Sequence, residues 1–312
     1  MAVSFLKHVA LEIPEADRDI GIQFYQDFGL HLTEHESHIS FGCYGRVHDS
    51  IILIPGASKK KLHHVAMGAS AEGIAQVRRN LVDHNIELLD SPTGFVNEGL
   101  WFKSSQGVLF NVIIAEREIA LPPVENVFTI NQAPDHVRIN SIVMPPKSQI
   151  GEVRPQQLSH AVLFTPDVPA MLAFVEDILG LRLSDRSGDF VAFTHVQGGS
   201  DHHVLAFAAS NGIGFNHICF SVNTPDDVGI GGNRMAEKYG PGWGFGRHAI
   251  GSNFFYYVPD PWGSFCEYSS DMDYIGDSEN WIATDWPAED SLYTWGPEPS
   301  PAFLLNSELD AE

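Results

Sequence analysis

No stretch of this 312-residue sequence approaches the ~20 consecutive apolar residues that a membrane-spanning helix needs. The first residues, MAVSFLKHVA, lack the apolar core of a secretory leader and enter strand-like sequence at once. Basic residues are scarce. The 18 Lys and Arg stand against 40 Asp and Glu, a net charge of −22. That argues against nucleic acid or an anionic membrane as the main partner, because both need a basic face. KKK at 59–61 is the one basic run, and it reads as a solvated loop. Cysteine is sparse too. Cys43, Cys219 and Cys266 are odd in number and form no CxxC pair, which fits small buried thiols in a reducing cytoplasm.

With 44% hydrophobic and 19% charged residues, the composition is that of a folded globular chain. Its length leaves room for two cores. Internal spacing supplies the organisation. LKHVALEI at 6–13, LHHVAMGA at 62–69, LSHAVLFT at 158–165 and FNHICFSV at 215–222 each place a histidine near the start of an apolar strand-like run. His8 to His64 is 56 residues and His160 to His217 is 57, so four modules fall into two pairs. Within a module the order is strand, helix, then further strands: AMLAFVEDILG has helical apolar spacing and stops at Gly180, while FVAFTHV and HVLAFAA read as strands. The fold class is therefore α+β, with two domains, each of two βαβββ modules making a curved, half-open sheet flanked by helices. The expected divisions are an N-terminal domain over 1–116, a Pro-containing linker over 117–157, a second domain over 158–274 and a tail over 275–312.

A lone strand histidine is ordinarily structural, so its companions decide. His160 and His217 hold matching positions in sister modules, and a pseudo-two-fold would turn both rings into one cavity. A third group follows in DPWGSFCEY, where strand alternation puts Phe265, Glu267 and Ser269 on one face and Cys266 and Tyr268 on the other. A carboxylate in the middle of an apolar strand is costly unless paired or bound to a cation. Two imidazoles and one carboxylate on rigid strands form the facial arrangement that suits non-haem Fe(II).

The combination of His160, HHVLAF, NHICF, GRH followed by FYY, and DPWGSFCEY resembles the type I extradiol ring-cleavage dioxygenases of the vicinal oxygen chelate superfamily. The resemblance covers most of the chain. It implies an enzyme that opens catecholic rings with O2 in aromatic catabolism, cytoplasmic and homo-oligomeric. His160, His217 and Glu267 would bind Fe(II), or Mn(II) as in some members. His203 would be the acid/base, with adjacent His202 the lesser choice, and His248 and Tyr257 would hydrogen-bond substrate oxygens. Tyr257 precedes Glu267 by ten residues, an even separation compatible with one face.

The first half serves as an internal control. It keeps His8 and His64, with His48 near the place of His203, but offers Asn111 at the place of Glu267. Gly107 matches Gly263, and the places of His248 and Tyr257 fall near Pro92 and Trp101. This half is expected to be a non-catalytic duplicate. For the substrate, Trp243 replaces an arginine, and Val162 an asparagine, found in carboxylate-binding members of the family. A neutral, substituted ring is expected, lined by Val162, Phe190, Phe193, Trp243 and Phe254. The tail's tryptophans at 281, 286 and 295 indicate a segment packed over the cavity mouth. Two rival readings stay open: a glyoxalase-like metal-dependent isomerase or lyase, whose site usually has a fourth protein ligand not found here, and a metal-free small-molecule-binding protein.

Overall fold

The four strands that carry the repeated histidine form two central antiparallel pairs, one in each half of the chain. The computed structural model describes residues 2–96, 98–118, 139–140, 142, 144–276 and 278–309. Residues 119–138, about half of the expected linker, lie outside the described residues. The N-terminal half runs β1 (Phe5–Ile13), α1 (Arg18–Asp27), β2 (His31–Glu34), β3 (Ile39–Gly42), β4 (Ile51–Pro55), β5 (Lys61–Ala69), α2 (Ala71–Asp83), β6 (Leu100–Lys103) and β7 (Leu109–Ile114). These seven strands make one sheet in the order β2-β3-β4-β1-β5-β7-β6.

The second half repeats the plan. It runs β8 (Gln157–Thr165), α3 (Val168–Phe174), β9 (Leu181–Ser187), β10 (Val191–Val196), β11 (Ser200–Asp201), β12 (Leu205–Ala209) and β13 (Gly214–Ser221). It continues with α4 (Pro225–Tyr239), β14 (Trp243–His248), β15 (Phe254–Pro259), β16 (Phe265–Ser270) and β17 (Tyr274–Ile275). Two tail strands, β18 (Thr284–Asp285) and β19 (Tyr293–Trp295), occupy the two edges of a ten-stranded sheet, β18-β9-β10-β12-β8-β13-β16-β15-β14-β19. The N-terminal sheet has no strand equivalent to β14 among its described residues. There a single bridge from Leu89 to Trp101 takes its place, and Pro92 and Gly94, poor strand residues, follow it.

Local sequence explains the elements. Asp167 caps α3 by accepting from the Ala170 amide at 2.9 Å, α3 runs on as a π turn over Val175–Leu179, and Gly180 ends it at φ +69°. Between β15 and β16 the Asp260 carboxylate accepts from the amides of Trp262 (2.9 Å) and Ser264 (2.8 Å), and Gly263 takes φ +89°. That tight turn holds the register in which Tyr257 faces Glu267 directly.

Alternation sends one set of side chains to the helices and the other to a cavity. Ala161, Leu163, Ile218, Phe220, Cys266 and Tyr268 join a hydrophobic core that also contains Phe24 and Phe28 of the N-terminal half. Phe28 stacks on Tyr268 with ring centroids 3.8 Å apart, and the Tyr268 hydroxyl donates to the Phe28 carbonyl at 2.7 Å. Full burial of one such ring contributes about 1.5–3 kcal/mol. The lysine run departs from its expected solvation. Lys60 is buried and donates to Glu308 of the tail at 2.9 Å, because the tail folds back over the start of β5.

Candidate active site

His160 on β8, His217 on β13 and Glu267 on β16 converge from three adjacent strands, all buried. Within each half the central pair is two-fold symmetric: His217 pairs with Val162 and Cys219 with His160, just as His64 pairs with Ala10 and Ala66 with His8. The symmetry brings His160 Nε2 to 3.3 Å from His217 Nε2. Glu267 Oε2 lies 3.2 Å from the first and 3.6 Å from the second.

The ring nitrogens facing away are engaged. His217 Nδ1 donates to Asn216 Oδ1 at 2.5 Å, and His160 Nδ1 donates to Ser159 Oγ at 3.2 Å. Such backing fixes the tautomer and leaves both Nε2 lone pairs for a cation. Glu267 Oε1 accepts from Asn253 Nδ2 at 3.2 Å, whereas buried Oε2 has no hydrogen-bond partner. Burial, partly offset by Glu267, pushes the His217 pKa down to about 3. For Glu267, burial alone would raise the pKa, but His160, His217 and His248 prevail and hold it below the ordinary value. Two imidazoles and a carboxylate with an orphaned oxygen make a donor set suited to a divalent metal ion. Among the described residues this is the only group of three or more such side chains with ligand atoms all within 4.8 Å.

Around the three lie the other expected residues. The His203 ring sits 4.1 Å from that of His160 and faces the cavity. Its Nδ1 is 3.1 Å from His202 Nδ1, and His202 Nε2 donates to Asp185 at 2.9 Å. Where His203 Nδ1 donates in that contact, its Nε2 is left as the acceptor. Burial and the neighbouring histidines, His160 first, hold His203 well below its ordinary pKa. His248 Nδ1 donates to the Leu292 carbonyl at 2.6 Å, so its Nε2 accepts from the Tyr257 hydroxyl at 2.9 Å. Burial, then the charge on Glu267, raises Tyr257 well above a free phenol, so it keeps its proton.

The cavity encloses roughly 720 Å³ counting its open mouth, and Val162, Phe190, Phe193 and Trp243 are among its lining residues. Phe254 is not. It is three residues from Tyr257, an odd separation on one strand, so it points to the opposite face and stacks on Phe245 at 5.6 Å. By strand register His48 sits one residue from the position of His203, in the loop before β4 as His203 is in the loop before β12, and it stacks on Phe5 at 5.6 Å.

Comparison with known proteins bears on this geometry. The sequence profile of the Glyoxalase/Bleomycin resistance protein/Dioxygenase superfamily matches residues 157–268. Metapyrocatechase 2 of Cupriavidus necator is 38% identical over 98% of this chain and 93% of its own. The chain belongs to the extradiol dioxygenases of this superfamily. The fold of the dioxygenase is shared by a Mn(II)-bound glyoxalase from Novosphingobium aromaticivorans (TM-score 0.72, 23% identity, 98% and 99% of the two chains). It is shared equally by an extradiol ring-cleaving dioxygenase from B. fuscum (TM-score 0.75, 20% identity, 96% and 81%).

Several residues of the dioxygenase site escaped sequence reasoning. Asn253 was open to it, since it shares strand parity with Tyr257 in SNFFYY. Ser159 and Asn216 immediately precede the two histidines and look unremarkable in sequence. Asp185, Leu292 and Phe303 reach the site only through the tertiary fold.

Proposed function

We propose that this dioxygenase opens a neutral, substituted catechol-type ring with O2, using Fe(II) or Mn(II) held by His160, His217 and Glu267. One observation carries the reading: three buried ligand atoms converge at the floor of an apolar cavity beside His203 and the His248–Tyr257 pair. When bound, the metal supplies open coordination positions for substrate and oxygen and the redox activity that closed-shell organics need to react with O2.

The chain's own residues do the rest. His203, with Nε2 as the acceptor, takes a hydroxyl proton from the catechol and later returns it. Tyr257 donates to a substrate oxygen, and His248, held by the Leu292 carbonyl, accepts from or donates to the same region as charge moves. Val162, Phe190, Phe193 and Trp243 exclude water and hold the ring flat in the cavity. No Lys or Arg is among the cavity's described lining residues, which supports a neutral substrate. Overall, one ring carbon–carbon bond beside the diol breaks and both oxygen atoms enter the product, as an acid and an aldehyde or ketone.

Residues 1–116 form the inert copy, and the tail roofs the cavity with Ser291, Leu292, Phe303 and Leu304. A cytoplasmic, homo-oligomeric catabolic enzyme accords with this reading. The glyoxalase-like alternative lacks a fourth ligand among the described residues. The test is oxygen uptake by Fe(II)-reconstituted protein against a catechol panel. A yellow ring-fission product, lost in His217→Ala, is expected; Zn or Ni with isomerase turnover and no oxygen uptake would support the rival. Chain ending at Tyr274 should lose substrate affinity, and unchanged turnover would remove the roof from this account.

A further inference from the structure

The strand that delivers His217 is irregular just where it matters. Between Phe215 and His217 the register of β13 against β8 slips, so the ladder alone does not orient the residues there. The tail supplies what the ladder omits. Asn216 Nδ2 donates to the Phe303 carbonyl at 2.9 Å, while its Oδ1 accepts from His217 Nδ1 at 2.5 Å. The Phe303 ring lies over His217 with centroids 6.0 Å apart. One step back along the strand, Glu308 Oε1 accepts from the Phe215 amide at 3.0 Å. The same carboxylate accepts from Lys60 Nζ at 2.9 Å, and its second oxygen accepts from the Leu62 amide at 2.9 Å. Lys60 donates further to Ser264, and Asn306 Nδ2 donates to the Gly212 carbonyl at 3.1 Å.

Lys60 and Glu308 are both nearly inaccessible to solvent. A buried ion pair persists only when additional hydrogen bonds satisfy both charges, and here each partner has them. The pair therefore pins three segments at one point: the start of β5 in the N-terminal half, the end of the tail and the residue two before His217.

We propose that residues 303–308 are a clamp that sets metal affinity. Asn216 and Glu308 are positioning residues for His217, and Lys60 anchors the clamp to the non-catalytic half. The proposal rests on His217 being a metal ligand. It gives the inert copy a function: Lys60, just before β5, and Leu62, on that strand with its own histidine His64, hold the tail that holds the ligand.

The test is Mn(II) binding to the metal-free full-length protein, with free Mn(II) read by electron paramagnetic resonance and the metal-free melting temperature recorded alongside. Asn216→Ala should raise the Mn(II) Kd by about 10–100-fold, the usual effect of removing a ligand's hydrogen-bond partner. Because Glu308→Ala leaves Lys60 buried and uncompensated, the paired change Lys60→Met with Glu308→Leu is the better probe. Removing both charges leaves no uncompensated buried charge, takes the acceptor from the Phe215 and Leu62 amides, and should raise the Kd in the same direction as Asn216→Ala. A purely structural role would lower the metal-free melting temperature and leave the Kd of the folded protein at the wild-type value, and that result overturns the clamp. His217→Ala separates the two ideas. If it binds Mn(II) as wild type does, the ligand assignment fails; if it loses Mn(II) while the other variants do not, the clamp alone fails.

Discussion

Asn111 stands in the N-terminal sheet on the rung that Glu267 holds in the C-terminal one. Asn111 pairs with Ala66 on one side and Trp101 on the other, as Glu267 pairs with Cys219 and Tyr257. The amide spends its donors on the carbonyls of Glu98 and Leu100, at 3.2 and 3.4 Å. Above it, His8 and His64 bond each other at 2.9 Å, with His8 Nδ1 unpartnered. On this rung the two copies share a register, and where one holds a carboxylate the other holds an amide.

Making the copies alike is the first prediction. Glu267→Asn should bind Mn(II) or Fe(II) more weakly than any variant behind the ligands, a loss beyond the ~10–100-fold typical of those positions. Metal content after gel filtration, with circular dichroism to verify folding, is the measurement. Retained stoichiometric metal would refute the assignment of Glu267.

Catalytic chemistry should separate from metal binding at Tyr257. Tyr257→Phe removes one donor to substrate oxygen and should lower kcat by about 10²–10³-fold at unchanged metal content. His203→Gln should cost about 10²–10⁴-fold. Asp185→Asn, two hydrogen bonds from the cavity, should lower kcat in the same direction by freeing the tautomer of His202. Steady-state oxygen consumption with metal quantified in each sample decides the point.

Acid should weaken the metal-free protein before it reaches ordinary carboxylate pKa values. His8, His64, His203 and His217 are all buried with pKa values depressed below 6.5 by that burial. The unfolded chain binds protons at these positions below pH 6.5 and the folded chain does not, so stability rises with pH across that window. Each histidine adds a slope of about 1.4 kcal/mol per pH unit below its unfolded pKa. Glu267, with its folded pKa lowered, acts in the same sense at still lower pH. Denaturant midpoints at pH 7.5 and 5.5 should fall together with pH; a flat profile would show these rings are not buried neutral.

Stability should also depend on the stack between the halves. Phe28→Ala removes a fully buried ring from against Tyr268 and should cost about 3–5 kcal/mol. The expected signature is a lower melting temperature with wild-type kcat at low temperature.

Much of this was legible in the sequence because repeats and strand parity are local. Four histidine strands, 56 and 57 residues apart within two pairs, announced the paired modules, and the even separation of Tyr257 and Glu267 survived because the DPWG turn preserves register. Parity, applied strictly, also excludes Phe254. What stayed hidden depends on distant contacts. Nothing near KKK reveals that Lys60 meets a carboxylate 248 residues away, and nothing near Asn216 reveals Phe303. Asp185 looks like a surface strand acid until the fold sets it against His202.

Where the tail ends its two short strands has one more outcome. A sheet's free edges invite other chains to add strands, and very short edge strands resist this. In the C-terminal sheet both edges are taken by β18 and β19, of two and three residues. The C-terminal sheet thereby resists strand addition on either side, and growth of one sheet into another is favoured at β2 or β6 of the N-terminal sheet.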